Sequence, residues 1–272
     1  MELTVLDLFS GIGGFSVGLE AAGKFKTIGF CEQDKFCQKV LRKHWNDVPI
    51  YEDIKKLDAR KIKADVLVGG FPCQSISIAG KQKGKDDDRF LFPQMLRVIK
   101  EVKPKWIIGE NVQNLLNISN GEILQGIHND LEACSYEVQT FSISASSQGA
   151  WHKRARVWIV AALSNSKCDK RQDTSTRQSG ASEIRGIYFK KEKQTSHDLW
   201  SKTSRCDAPP KQQTWWEQEH EALTKICRVP HGLSAELDTN RNDRIKALGN
   251  SICPPIITEI GKAIIKAEEE NV

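Results

Sequence analysis

No stretch of this sequence is apolar over the length needed to span a bilayer, and no two of its cysteines form a CxxC pair. The first absence removes membrane-spanning helices from the reading. The second matters because eight cysteines are present, scattered at 31, 37, 73, 134, 168, 206, 227 and 253. That scatter argues against a zinc site or other metal centre and against a disulfide scaffold, and it fits a reducing compartment. No internal repeat is visible. No basic segment precedes an apolar one at Met1-Glu2-Leu3-Thr4, so neither secretion nor membrane insertion is expected, and the expected location is the cytoplasm. Charge of one sign does not dominate either: a net +5 permits a polyanionic partner without demanding one. What remains, 39% hydrophobic and 28% charged over 272 residues, is ordinary globular composition for one large domain, or one large and one small.

The most informative stretch is Val66-Leu67-Val68-Gly69-Gly70-Phe71-Pro72-Cys73. A buried strand ends in glycines, and a rigid Phe-Pro step presents a thiol at its carboxyl end, where open α/β sheets place their chemistry. By itself the stretch leaves two readings equally open: a small buried hydrophobe or a nucleophile.

The chain begins with a strand over Leu3 to Leu8, then Ser10-Gly11-Ile12-Gly13-Gly14, then a helix from Phe15 to Ala22. Strand, glycine turn and helix open a nucleotide-type binding fold, with backbone N–H groups gathered at a helix start. The dinucleotide GxGxxG spacing is absent, which disfavours a nicotinamide or flavin oxidoreductase. A second strand, Thr27 to Cys31, ends in Glu32-Gln33-Asp34. Glu32 is placed for ribose hydroxyls and Asp34 for capping the helix Lys35 to Lys43. Asp53 follows a short extended piece and is, alone, little better than a surface carboxylate. Leu91 to Val102 has helical spacing, and Trp106 to Gly109 is a strand delivering Glu110-Asn111-Val112. A carboxylate and a thiol thus sit at carboxyl ends of strands in one sheet. A helix over 122–133 and a strand over 136–143 follow. Arg154 and Arg156, before a strand at Val157 to Ala162, are expected on one face of an extended chain, suited to carboxylate, phosphate or carbonyl recognition. From Asn165 to Lys211 the chain is polar, with 11 Lys and Arg against 6 Asp and Glu, and reads as a disordered insert or a polyanion-facing surface. The last helix carries Ile256, Ile257, Ile260 and Ile264 on one stripe, which is expected to pack back on the sheet.

Taken together and in order, DLFSGIGGF (7–15), CEQD (31–34), DI (53–54), GGFPCQSIS (69–77), ENV (110–112), HKRAR (152–156) and RIKALGNSICP (244–254) resemble the DNA cytosine-5 methyltransferases of bacterial or phage type. The resemblance implies a Rossmann-like α/β fold with a mostly parallel sheet and a small target-recognition lobe. Its divisions would be a catalytic and cofactor-binding domain at 1–163, a target-recognition region at 164–240, and a segment at 241–272 returning to the catalytic domain. It implies S-adenosylmethionine as methyl donor and double-stranded DNA as partner. A cognate restriction endonuclease and a monomeric state would follow the family's habit. Cys73 is implied as the thiol that adds to cytosine C6, Glu110 as the acid at N3, and Arg156 with Arg154 at O2. Around the cofactor the resemblance implies Phe9, Ser10, Gly11, Ile12, Gly14, Glu32, Asp53, Gly70, Pro72, Leu91 and Asn250. Gly80 and Gly84 would be hinges of a closing loop. Two positions depart from the pattern: His152 stands where glutamine is usual and Trp151 where proline is common. Competing readings are an RNA cytosine-5 methyltransferase, whose relatives carry Pro-Pro-Cys where this chain has Phe71-Pro72-Cys73, and a catalytically silent DNA-binding relative.

Overall fold

The computed structural model describes residues 2–72, 90–150, 152–164 and 241–270. Among these, seven strands form one sheet: β1 (Leu3–Leu8), β2 (Phe25–Cys31), β3 (Ile50–Tyr51), β4 (Val66–Gly69), β5 (Trp106–Val112), β6 (Tyr136–Ser144) and β7 (Ala155–Leu163). Six α-helices accompany them: α1 (Gly14–Ala22), α2 (Lys35–His44), α3 (Phe92–Val102), α4 (Glu122–Glu132), α5 (Arg241–Asn250) and α6 (Pro254–Glu270). The strand order is β3-β2-β1-β4-β5-β7-β6. The pairs β1–β2, β2–β3, β1–β4 and β4–β5 are parallel, and β7 runs antiparallel to both β5 and β6. After β1 the chain winds outward to β2 and β3, then crosses back so that β4 lies on the other side of β1. The switch of direction therefore falls between β1 and β4, where the carboxyl ends of the strands open a crevice.

The two central strands are buried on both faces because their side chains alternate between two cores. Leu6, Leu8 and Leu67 join Met95, Ile99 and Ile107 on one face. Val5, Val66 and Val68 join Phe15, Leu19, Trp158, Ile257 and Ile260 on the other. The second core receives the apolar stripe of α6, which packs against α1. Close approach there depends on Gly18, where a Cβ would lie 2.6 Å from Pro254 O, and Thr258 Oγ1 donates to Gly18 O at 2.9 Å. Among the described residues no helix is long and apolar enough to cross a membrane.

Strands β5 and β7 reach beyond the bounds their sequence pattern predicts, into polar residues of the site. β5 continues through Glu110 and Asn111 to Val112, and β7 begins at Ala155. The antiparallel ladder of β5 with β7 explains both: backbone pairing through Val112↔Arg156 holds polar residues that carry no strand periodicity of their own. The expected target-recognition region lies outside the described residues apart from Ser164, as do Cys73, the hinges Gly80 and Gly84, and Trp151.

Candidate active site

A pocket of about 720 Å³ opens at the carboxyl ends of the strands, at the switch between β1 and β4. Of the residues singled out from the sequence, Phe9, Gly11, Glu32, Asp53, Gly70, Pro72, Leu91, Glu110, Arg154, Arg156 and Asn250 line it. Ser10, Ile12 and Gly14 do not; they build the turn behind it. Cys73 lies outside the described residues, and the described chain reaches Pro72 on the pocket wall.

The glycine turn is fixed from below. Ser10 is buried; its hydroxyl donates to Asp7 O at 2.6 Å and accepts from Cys31 N at 3.2 Å. Gly11 takes φ 55°, a conformation glycine adopts without a Cβ penalty, and nothing stands within 4 Å of where its Cβ would be. Its N–H donates to Glu32 Oε2 at 2.7 Å, while Glu32 Oε1 accepts from Asp34 N at 2.7 Å. The acid at the end of β2 thus ties the glycine turn to the start of α2. Asp34 caps that helix as expected, accepting from Phe36 N and Cys37 N, and the Cys37 and Phe36 amides hold its carboxyl below its ordinary range. Gly14 is bare for a packing reason: a Cβ would meet Ile252 at 2.8 Å and Ser251 Oγ at 2.9 Å. Asp53 accepts from Lys55 N at 2.9 Å and starts a turn. That turn is anchored to α3 by Arg97, which donates to Ile54 O and Leu57 O.

The other half of the pocket belongs to β4, β5 and β7. Glu110 lies directly across from Trp158, and Val112 from Arg156. Arg156 is therefore the diagonal neighbour of Glu110 on the same sheet face, within reach of a long side chain. Its Nε stands 3.0 Å from Glu110 Oε1, with the side chains only 24% and 12% exposed. Burial pushes the Glu110 carboxyl above its ordinary range, opposed by the charges of Arg156 and then Arg154. The result is a buried acid with a raised affinity for its proton. A Cβ on Gly70 would lie 3.4 Å from Glu110 Oε2, so the end of β4 passes against this carboxylate.

Arg154 does not share the face of Arg156 as the sequence pattern predicts. Its backbone takes φ 28°, a strained conformation for a residue with a Cβ, and this turns the chain just before β7 begins. Its guanidinium donates to Gly249 O and Ser251 O at the end of α5.

Four contributors carried no functional signal of their own in the sequence. Asn111, buried, donates from Nδ2 to Phe71 O at 3.0 Å and so pins the residue before Pro72. Phe71 is wedged against Phe92 at 5.3 Å. Asp7, fully buried, accepts from Ser16 Oγ at 2.8 Å and supports the start of α1. Lys246 of α5 reaches Asp34 at 3.4 Å on the pocket rim. The contacts of Asn111, Phe71 and Lys246 join distant segments, which spacing does not reveal.

The family description that matches this sequence is "C-5 cytosine-specific DNA methylase", over residues 3–231. The chain is similar to the Type II methyltransferase M1.ScrFI of Lactococcus lactis subsp. cremoris, 42% identical over 158 residues that are 57% of this chain and 40% of that protein. It is similar to the Type II methyltransferase M.HhaI of Haemophilus parahaemolyticus, 36% identical over 160 residues, 58% of this chain and 48% of that one. The aligned stretch spans less than half the length of either relative. Among solved structures, the methyltransferase EhMeth of Entamoeba histolytica superposes with a TM-score of 0.63 at 18% identity, covering 98% of this chain and 99% of that one, a likeness of fold.

Proposed function

Because the chain belongs to the C-5 cytosine-specific DNA methylase family, we propose that it methylates C5 of a cytosine in double-stranded DNA, with S-adenosylmethionine as donor and Cys73 as nucleophile. The observation that carries this reading is the buried Glu110–Arg156 pair in one pocket with the glycine turn of β1. Binding alone needs no buried acid beside a paired guanidinium, on β5 and β7, which follow in the sheet the strand that leads to Pro72 and the thiol after it.

The cofactor supplies an electrophilic methyl group. The lining fits it: open space over Gly11, an acid at the end of β2, an aromatic ring at Phe9, and a volume in the range of small-molecule sites. Glu32 and Asp53 are assigned to its ribose and adenine ends. The chain's own residues act on the base. Cytosine C5 is a poor nucleophile, and addition of the Cys73 sulfur to C6 converts the ring to an enamine. Electron density moves onto N3, where Glu110 gives up its proton, and the raised affinity of Glu110 for that proton keeps it available. Arg156 holds O2 and balances the carboxylate left behind. C5 then takes the methyl group, a base removes the C5 proton, the sulfur leaves C6 as a thiolate, and N3 returns its proton to Glu110 as 5-methylcytosine forms. In a duplex the stacked neighbours cover the faces of the ring, through which the sulfur must approach C6, so the base must leave the stack at a cost of about a few kcal/mol.

The test is transfer of a labelled methyl group to duplex DNA or to RNA, beside Cys73→Ser. Label at C5 of DNA cytosine, lost in the variant, is the expected result. Label in RNA alone, or unchanged transfer without the thiol, overturns the reading.

A further inference from the structure

The last turn of α5 is weakly supported by packing. Of its ten residues only Ala247 is buried. Yet α5 contributes Lys246, Gly249 and Asn250 to the pocket wall. Its rim-side tie, Lys246 to Asp34 at 3.4 Å, is an exposed ion pair, a kind that holds little in water. At the carboxyl end the helix presents carbonyls that no further turn can satisfy. Arg154 meets one of these and the carbonyl just beyond the helix: its Nη2 donates to Gly249 O at 2.9 Å and to Ser251 O at 2.5 Å. These carbonyls flank Asn250. A cation at a helix carboxyl terminus also opposes the negative end of the helix dipole. The strained backbone of Arg154 is what aims the side chain there, away from the line of Arg156.

We propose that Arg154 is a positioning residue that clamps the end of α5 and so holds Asn250 against the methyl donor, leaving Arg156 to serve Glu110 and the target base. The inference rests on the reading of the pocket as an S-adenosylmethionine site. Two arginines two residues apart would then divide their work. Arg156, inside β7, belongs to the base-binding half, and Arg154, at the bend before β7, belongs to the cofactor half. Strand and bend are continuous, so the two halves share one rigid segment.

The division separates the two arginines in an experiment without DNA. Titration calorimetry of the full chain with S-adenosylhomocysteine is run on the wild type, Arg154→Gln, Arg156→Gln, Asn250→Ala and the double variant Arg154→Gln/Asn250→Ala. Arg154→Gln is expected to weaken binding by about ten- to a hundredfold, the size of a lost charge-assisted hydrogen bond. Arg156→Gln is expected to lose clearly less than Arg154→Gln, because its guanidinium lies with Glu110. The Arg154 and Asn250 losses are expected to be less than additive, since both act through one wall. Wild-type affinity in Arg154→Gln, or equal losses in the two arginine variants, overturns the proposal.

Amide hydrogen exchange over residues 247–252 is a second readout. It should rise in Arg154→Gln and in Arg154→Lys, and not in Arg156→Gln. Arg154→Lys keeps a charge that can reach one carbonyl, so it also decides the case should the glutamine variant fail to fold. Unchanged exchange in Arg154→Lys counts against the clamp. If S-adenosylhomocysteine binds none of the proteins, the functional reading fails, while the exchange comparison still judges the tie between Arg154 and α5.

Discussion

Asp7 sits wholly buried beneath the glycine turn, with Oδ2 accepting from Ser16 and Oδ1 unpartnered. Burial pushes its carboxyl up to about 8, against the lowering effect of the Ser16 hydrogen bonds. The unfolded chain releases that proton near 3.8. Between those values the folded state therefore holds a proton the unfolded state has lost, so stability must fall as pH rises from about 4 to about 8 and level off above. Denaturant unfolding at several pH values should show this slope, and Asp7→Asn should flatten it. A slope unchanged in the variant would assign the effect elsewhere. Glu110 gives a second residue-scale prediction. Glu110→Gln should lower methyl transfer by about 10²- to 10⁴-fold, the usual worth of a positioned acid, with cofactor affinity kept. Arg156→Gln removes the cation that opposes burial, so the Glu110 carboxyl must hold its proton to higher pH. The limb of the pH–rate profile that falls as Glu110 ionises should move upward; a limb that stays or moves down would contradict the pairing.

Helix contacts decide the next scale. Gly18 lies inside α1, where replacing glycine by alanine ordinarily stabilises by about 0.5–1 kcal/mol. Here the added Cβ would stand 2.6 Å from a backbone oxygen of α6 and 2.7 Å from Ile257. Overpacking of that kind costs about 1–3 kcal/mol, so the sign reverses. Gly18→Ala should lower the unfolding midpoint by about a few degrees, and a rise would mean that α6 yields easily. Asp34→Ala should cost about 1 kcal/mol through the lost cap of α2. Most elements were legible, β1 and β4 as short apolar runs buried on both faces and α6 by its stripe at a period of 3.6. The extension of β5 through Glu110 was not, since the ladder with β7, and no periodicity, holds it. The turn at Arg154 was not legible either. An extended reading of His152 to Arg156 puts both arginines on one face, and a single positive φ undoes it.

At the scale of the whole molecule, a sheet with its direction switch between β1 and β4 gathers the glycine turn, the acid after β2, Gly70, Glu110 and Arg156 at one edge. The sequence motifs pointed to that gathering one by one, because the glycine turn, the acid after β2, Gly70 and Glu110 lie at or beyond the carboxyl ends of parallel strands, and Arg156 lies at the start of the antiparallel β7 on the same side. Their mutual geometry needed the fold: the diagonal register that joins Glu110 to Arg156, and the pinning of Phe71 by Asn111 just ahead of Cys73. A DNA duplex held partly through its phosphates should bind more weakly as salt rises. The central claim is that Cys73 attacks a cytosine ring in this pocket. A duplex carrying 5-fluorocytosine tests it most directly, because fluorine at C5 cannot leave as a proton does and the sulfur stays bound to C6. Incubated with S-adenosylmethionine, the chain should form a stable adduct whose mass is that of protein, DNA strand and one methyl group. Peptide mapping should place the bond at Cys73. An adduct at another of the eight cysteines, or none while ordinary cytosine is still methylated, would contradict it.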